Sequence, residues 1–139
     1  MWKHPDYDKD TYANDLSLIE LETPIDIHKY RPIRLDNGFN VNLEAGDTLT
    51  AVGWGVLDYD SGEHPDVLME VDLGYIENDV CAEDYGYPSH WIEDNMMCTW
   101  EEGKDACIGD SGGPLILRQP GKENDRAIYD TLVRIYGKL

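Results

Sequence analysis

Residues 103 to 114 read Gly-Lys-Asp-Ala-Cys-Ile-Gly-Asp-Ser-Gly-Gly-Pro and bring together the groups in this chain best suited to chemistry. A serine hemmed by glycines leaves its hydroxyl uncovered. Bare glycines also let consecutive backbone N–H groups converge on a point beside that hydroxyl, because no side chain obstructs them. That is the geometry of an oxyanion hole, which stabilises the negative oxygen formed when a nucleophile adds to a carbonyl carbon. The bland reading, an ordinary turn serine, leaves the rest of the flanking pattern unexplained.

Strands must position such a loop. Val67, Met69, Val71, Leu73 and Tyr75 alternate with Leu68, Glu70, Asp72, Gly74 and Ile76, the period of a strand with one wetter face. Leu16 to Leu21 is apolar on both faces and predicts a strand in a closed or two-layer sheet. Further strands are expected at Thr48 to Val56, Met96 to Thr99, Pro114 to Leu117 and Ala127 to Tyr136. Asn37-Gly38, Ala45-Gly46-Asp47, Asp60-Ser61-Gly62 and Pro120-Gly121 punctuate them as turns. One short helix is predicted from a cap at Asn78 to a stop at Gly86. Short strands at this spacing predict an all-β barrel or sandwich.

Composition bounds the partners. The chain has 139 residues, 29 acidic against 11 basic, and a formal net charge of −18. Leu, Ile, Val and Phe make up only about a fifth of it, so the core must be thin, helped by four Trp and nine Tyr. Such an acidic surface repels a phosphate backbone and excludes nucleic acid as the expected partner, while drawing in cations. No run is long and apolar enough for a membrane-spanning helix. The opening Met1-Trp2-Lys3-His4-Pro5-Asp6 lacks the apolar core and cleavage site of a secretory signal. Three cysteines, Cys81, Cys98 and Cys107, are most simply one pair and one leftover thiol in an oxidising compartment. The competing zinc site, His90 with the three cysteines, lacks any Cys-x-x-Cys knuckle, so no metal is expected. Asp58 to Gly62 superficially suggests a calcium loop, but the glycine falls one position early and no glutamate closes it, leaving an exposed acidic hairpin. His4 and His64 are expected at the surface.

The Gly-Asp-Ser-Gly-Gly-Pro hexapeptide at 109 to 114 resembles the chymotrypsin- and trypsin-like serine endopeptidases. The likeness extends outward in the same order: Asn14-Asp15-Leu16-Ser17-Leu18-Ile19-Glu20-Leu21 resembles the segment of the catalytic aspartate, and His4-Pro5-Asp6-Tyr7 the stretch before it. Val52-Gly53-Trp54-Gly55 resembles the strand opening the second barrel, and Val80-Cys81 with Asn95-Met96-Met97-Cys98 the ends of a family disulfide. The resemblance implies an all-β, chymotrypsin-like antiparallel barrel: residues 1–28 a remnant of the first barrel, 29–42 a linker, 43–139 an incomplete second barrel.

It further implies that Ser111 is the nucleophile, Asp15 the carboxylate that orients a histidine, and the N–H groups of Gly109 and Ser111 the oxyanion donors. Asp105 matches the base of the primary specificity pocket, where a carboxylate selects Arg or Lys in a polypeptide substrate, and Asp110 matches the residue that pairs with a newly exposed N-terminal amine on activation. Cys81 would bond Cys98, no cofactor would be needed, and the setting would be extracellular. None of His4, His28, His64 and His90 has the family's Ala-Ala-His-Cys context, and the Ser-Trp-Gly binding segment does not appear. The expectation is a chain that is inactive alone, since a serine without its general base is a weak nucleophile; the rival reading is a noncatalytic homologue acting as a binding module. An uncovered sheet edge would also make it prone to aggregate.

Overall fold

The computed structural model describes residues 1–30, 32–35, 42–84, 92–118 and 126–129. In chain order these form β1 (Trp2–Lys3), β2 (Ser17–Leu18), β3 (Arg34–Leu35), β4 (Thr48–Gly53), β5 (Met69–Ile76), α1 (Asn78–Asp84), β6 (Cys98–Trp100), β7 (Leu115–Arg118) and β8 (Arg126–Tyr129). The protein is all-β, with one short helix among the described residues. Strands β1 and β2 pair as an antiparallel ribbon, and the other six form one sheet in the order β3-β8-β7-β4-β5-β6. Every neighbouring pair in that sheet is antiparallel except β3 with β8.

Period-2 alternation places the core. Leu49 and Ala51 point the same way from the central strand β4. They face Leu73 and Val71 on β5, and Leu117 and Leu115 on β7. Leu49, Ala51, Leu73 and Leu115 are buried as one cluster, with Leu43, Tyr75, Met97 and Ala106 packed around it. Alternation also places the polar partners: the buried Thr50 hydroxyl donates at 2.6 Å to Asp72, its register partner on β5. Across β4, Arg118 of β7 pairs with Glu70 of β5.

The disulfide Cys81–Cys98 ties α1 to β6 across 17 positions of sequence. It leaves Cys107 as a free, half-buried thiol. With two of three thiols bonded to each other, the four-ligand zinc alternative loses its donors; His90 lies outside the described residues.

Several boundaries differ from the sequence reading. The run Leu16 to Leu21 contributes only Ser17–Leu18 to a strand, and Leu18 and Ile19 are 71% and 70% exposed. A two-residue ribbon offers no second layer, so apolar side chains on both faces find nothing to pack against. The strand expected from Thr48 to Val56 ends at Gly53, and that expected from Val67 starts at Met69, leaving Val67 and Leu68 exposed. Of Ala127 to Tyr136, residues 127–129 are described and lie in β8, which begins at Arg126. Within 29–42, Arg34–Leu35 joins the edge of the six-stranded sheet.

The described helix, Asn78–Asp84, begins where expected, but Asn78 does not cap it with its oxygen. The Cys81 N–H donates to the Glu77 carbonyl at 2.9 Å, so the helix is entered from Glu77. The Asn78 amide instead donates to the carbonyls of Glu93 (3.1 Å) and Met96 (2.9 Å), and its Oδ1 is buried without a partner. It fastens the loop before β6 rather than the start of α1. Gly86, the expected stop, lies outside the described residues.

Candidate active site

Two consecutive tight turns build the serine loop. The Asp110 N–H donates to the Cys107 carbonyl at 3.0 Å, and the Gly113 N–H donates to the Asp110 carbonyl at 2.8 Å. Each is the i to i+3 bond of a β-turn, and each turn carries glycine at its third position, Gly109 at φ +100° and Gly112 at φ +81°. Positive φ at that position is the requirement of a type II turn, which a side chain would strain. Ser111 therefore sits at the second position of the second turn, exposed at its apex. Among the described residues, nothing accepts the N–H of Gly109 or of Ser111, so both stay available to an oxygen approaching from outside.

The loop is moored to the sheet on both flanks. The Val52 N–H donates to the Pro114 carbonyl at 3.3 Å and the Val56 N–H to the Ile108 carbonyl at 2.9 Å. Between these moorings the Asp110 side chain turns inward. Its carboxylate accepts from the Gly55 N–H at 2.7 Å and from the Cys107 N–H at 2.9 Å. The fit depends on absent side chains: a Cβ on Gly53 would lie 2.0 Å from Asp110 Oδ1, and one on Gly55 2.4 Å from Asp110 Cγ.

Asp105 and Asp110 line the same cavity of about 130 Å³, together with Gly53, Gly55, Met69 and Val71. Burial raises the pKa of the Asp105 carboxyl above its ordinary value, with the Ala106 N–H opposing the shift. A carboxylate short of hydration, at the wall of a cavity, favours a cationic group as its partner.

His64 is exposed, as expected, but not idle. Its Nδ1 lies 3.0 Å from the Trp54 carbonyl oxygen, and its Cε1 lies 3.5 Å from where a Gly109 Cβ would stand. A carbonyl only accepts, so Nδ1 carries the proton. His4 is half-buried, its Nδ1 accepting from the Asp6 N–H at 3.2 Å. The acidic segment after β4 is the expected hairpin: Asp58 bridges Glu63, and the Ser61 N–H donates to the Asp58 carboxylate at 2.8 Å.

Asp15 is exposed on a sharp corner preceding β2, and no hydrogen bond joins it to Ser111. The corner reaches the larger sheet's loops through its neighbour: Asn95 Nδ2 donates to Asn14 Oδ1 at 2.8 Å. The structure thus brings Asp105, Gly109 and Asp110 together around the Ser111 loop, and places Asp15 on a separate segment linked to that lobe by Asn14.

A family model described as "Trypsin" matches residues 1–124. The chain belongs to the trypsin family of serine proteases. Among curated relatives in the trypsin family, it is 41% identical over 122 residues to "Serine protease filzig" of Drosophila melanogaster, covering 84% of this chain and 7% of that protein. It is 34% identical to "Venom serine protease" of Polistes dominula, covering 87% of this chain and 42% of the relative. It is 38% identical to mouse "Kallikrein-1", covering 82% and 42%. The solved structure of mouse neuropsin, titled as a serine protease, superposes with a TM-score of 0.71 at 28% identity over 81% of this chain and 50% of that one. The chain spans less than half the length of the curated relatives it matches. No helix among the described residues is long and apolar enough to cross a membrane.

The sequence reading named the serine loop but missed its seat. Gly53 and Gly55 lie two apart, and in an extended chain residues two apart share a face. The Gly-Trp-Gly spacing was therefore a legible sign of a bare patch that another backbone or side chain approaches. Asn95 and His64 carried no such sign, because their partners, Asn14 and Trp54, are brought to them by the fold.

Proposed function

We propose that this chain contributes the nucleophile, the oxyanion hole and the orienting carboxylate of a secreted serine endopeptidase that cleaves polypeptides after Arg or Lys. The reading is carried by one observation: the exposed Ser111 stands at the apex of a turn where, among the described residues, nothing accepts the N–H of Gly109 or of Ser111, and whose base is locked by Asp110. In this reading Ser111 Oγ attacks the scissile carbonyl carbon and its proton passes to a histidine oriented by Asp15. The carbonyl oxygen becomes an oxyanion that accepts from the N–H groups of Gly109 and Ser111. Collapse of the intermediate expels the amine, which takes the proton from the histidine, and leaves an acyl-Ser111 ester. Water then enters by the same route in reverse roles. Loss of one oxyanion donor at such a site costs roughly 100- to 1000-fold in rate.

Asp105 supplies the negative wall that selects a cationic side chain, supported by its partial burial in the cavity. Asp110 pairs with an activating N-terminal amine, a third partner beside the two N–H donors it already holds. The name of the Polistes relative and the Cys81–Cys98 disulfide support an extracellular setting. Residues 1–28 belong to the first lobe, 29–42 lead across, and 43–139 form the second.

None of the chain's four histidines has the resemblance-implied context, so the 139 residues alone are inactive in this reading. The test is a fluorophosphonate probe, applied to the isolated chain and to the chain co-refolded with the histidine-bearing first lobe of a trypsin-family relative. Slow labelling alone, fast labelling of Ser111 on co-refolding and its loss in Ser111→Ala are expected. Fast labelling of the isolated chain overturns the inactivity. No gain on co-refolding, with both lobes shown to associate, overturns the catalytic role in favour of a binding module.

A further inference from the structure

Asp15 is held by backbone geometry that centres on the residue before it. Asn14 adopts a left-handed conformation, φ +56°, which asparagine tolerates better than most L-residues. The Leu16 N–H donates to the Asn14 carbonyl at 2.7 Å, an i to i+2 bond that makes Asp15 the middle residue of a γ-turn. Asp15 has no positive φ, so the turn is the relaxed, inverse form. Flanking bonds hold the arms of the corner: Asp8 N–H to the Ala13 carbonyl at 3.0 Å, and His4 N–H to the Leu16 carbonyl at 2.9 Å. Ala13 is buried inside it.

The Asn14 side chain uses both of its ends. Its Nδ2 donates to the Asp6 carbonyl at 3.1 Å, and its Oδ1 accepts from Asn95 Nδ2 at 2.8 Å, 81 positions away. The first bond closes the loop before the corner, and the second crosses to the loop preceding β6. A residue that only solvated the surface would need neither.

We propose that Asn14 is a positioning residue for Asp15: it sets the turn that projects Asp15 and, through Asn95, fixes that turn against the lobe that carries Ser111. The proposal rests on the catalytic reading of Asp15, but its test needs no turnover. In the full chain labelled with ¹³C and ¹⁵N, the Asn95 side-chain amide protons exchange with water roughly two- to tenfold faster in Asn14→Ala, the factor that follows from losing one hydrogen bond. The Asp15 carboxyl carbon resonance shifts in Asn14→Ala and also in Asn95→Ala, although no hydrogen bond joins Asn95 to Asp15. Asn14→Gly, which keeps access to positive φ, reproduces the Asn95 effect. An Asp15 resonance unmoved in Asn95→Ala overturns the coupling, and unchanged Asn95 exchange in Asn14→Ala overturns the clamp itself. Should Asn14→Ala fail to fold, Asn95→Ala at its exposed loop position decides alone. Failure of the catalytic reading shows separately, as absent Ser111 labelling with these spectral couplings intact.

Discussion

The Asp110 carboxylate accepts the Gly55 N–H at 2.7 Å across 55 positions of sequence. This bond joins the segment just after β4 to the serine loop, so the orientation of the Gly109 and Ser111 N–H groups depends on a segment that carries no reactive group. The arrangement works only because the strand end is bare.

Replacing Gly55 with alanine puts a Cβ 2.4 Å from Asp110 Cγ, inside any tolerable contact. The expected loss is about 1–3 kcal/mol of stability, typical of overpacking, with the serine loop displaced as well. Urea unfolding measures the first. Ser111 labelling in the co-refolded protein measures the second, and labelling at the parent rate would show that Asp110 does not set the loop.

Asp105 predicts a pH dependence of definite sign. Its folded pKa is raised above the ordinary 3.8 by burial, so the folded state binds more protons than the unfolded chain between those two values. The stability held by its neutral form is fully present below 3.8 and is lost as pH rises through the raised folded value. Urea midpoints of the parent chain should fall through that window relative to Asp105→Asn, which lacks the slope; a parent midpoint that rises there contradicts the burial argument. On the proposed specificity, the same protonation should weaken binding of an Arg substrate to the co-refolded protein at acid pH, read as a higher KM.

Removing the disulfide by Cys81→Ala with Cys98→Ala opens a constraint over 17 positions. In the chain-entropy account a loop of that size is worth about 3 kcal/mol. Denaturant titration in non-reducing buffer reads the difference. Adding reductant to the parent chain should reproduce it without mutation.

Asn78→Asp replaces a donor that faces the Glu93 and Met96 carbonyls with a carboxylate facing the same oxygens. Repulsion and an uncompensated half-buried charge should cost at least about 2 kcal/mol. If Asn78 were only a helix cap, aspartate would serve as well and stability would hold, so the unfolding free energy of this single variant separates the two roles.

Local pattern determined much of this protein. Alternation from Met69 to Tyr75 placed β5 and its inward face, because side-chain direction in a strand follows from position alone. The glycines around Ser111 gave the turn chemistry of the loop, because positive φ is a property of single residues. The segment from Leu16 to Leu21 shows where that logic stops: its apolar pattern asked for a buried strand, but burial needs a facing layer, and only a two-residue ribbon formed. The seat of Asp110 in the Gly53 and Gly55 gap, the Asn14 to Asn95 link, the ring of His64 against Gly109 and the shared cavity of Asp105 and Asp110 were all decided by tertiary structure. All but the last join groups far apart in the chain, and the cavity itself is closed by Gly53, Gly55 and Met69 from distant segments. Their hydrogen bonds and contacts exist only once the six-stranded sheet has formed and, for Asn14, the β1–β2 ribbon segment has come against it.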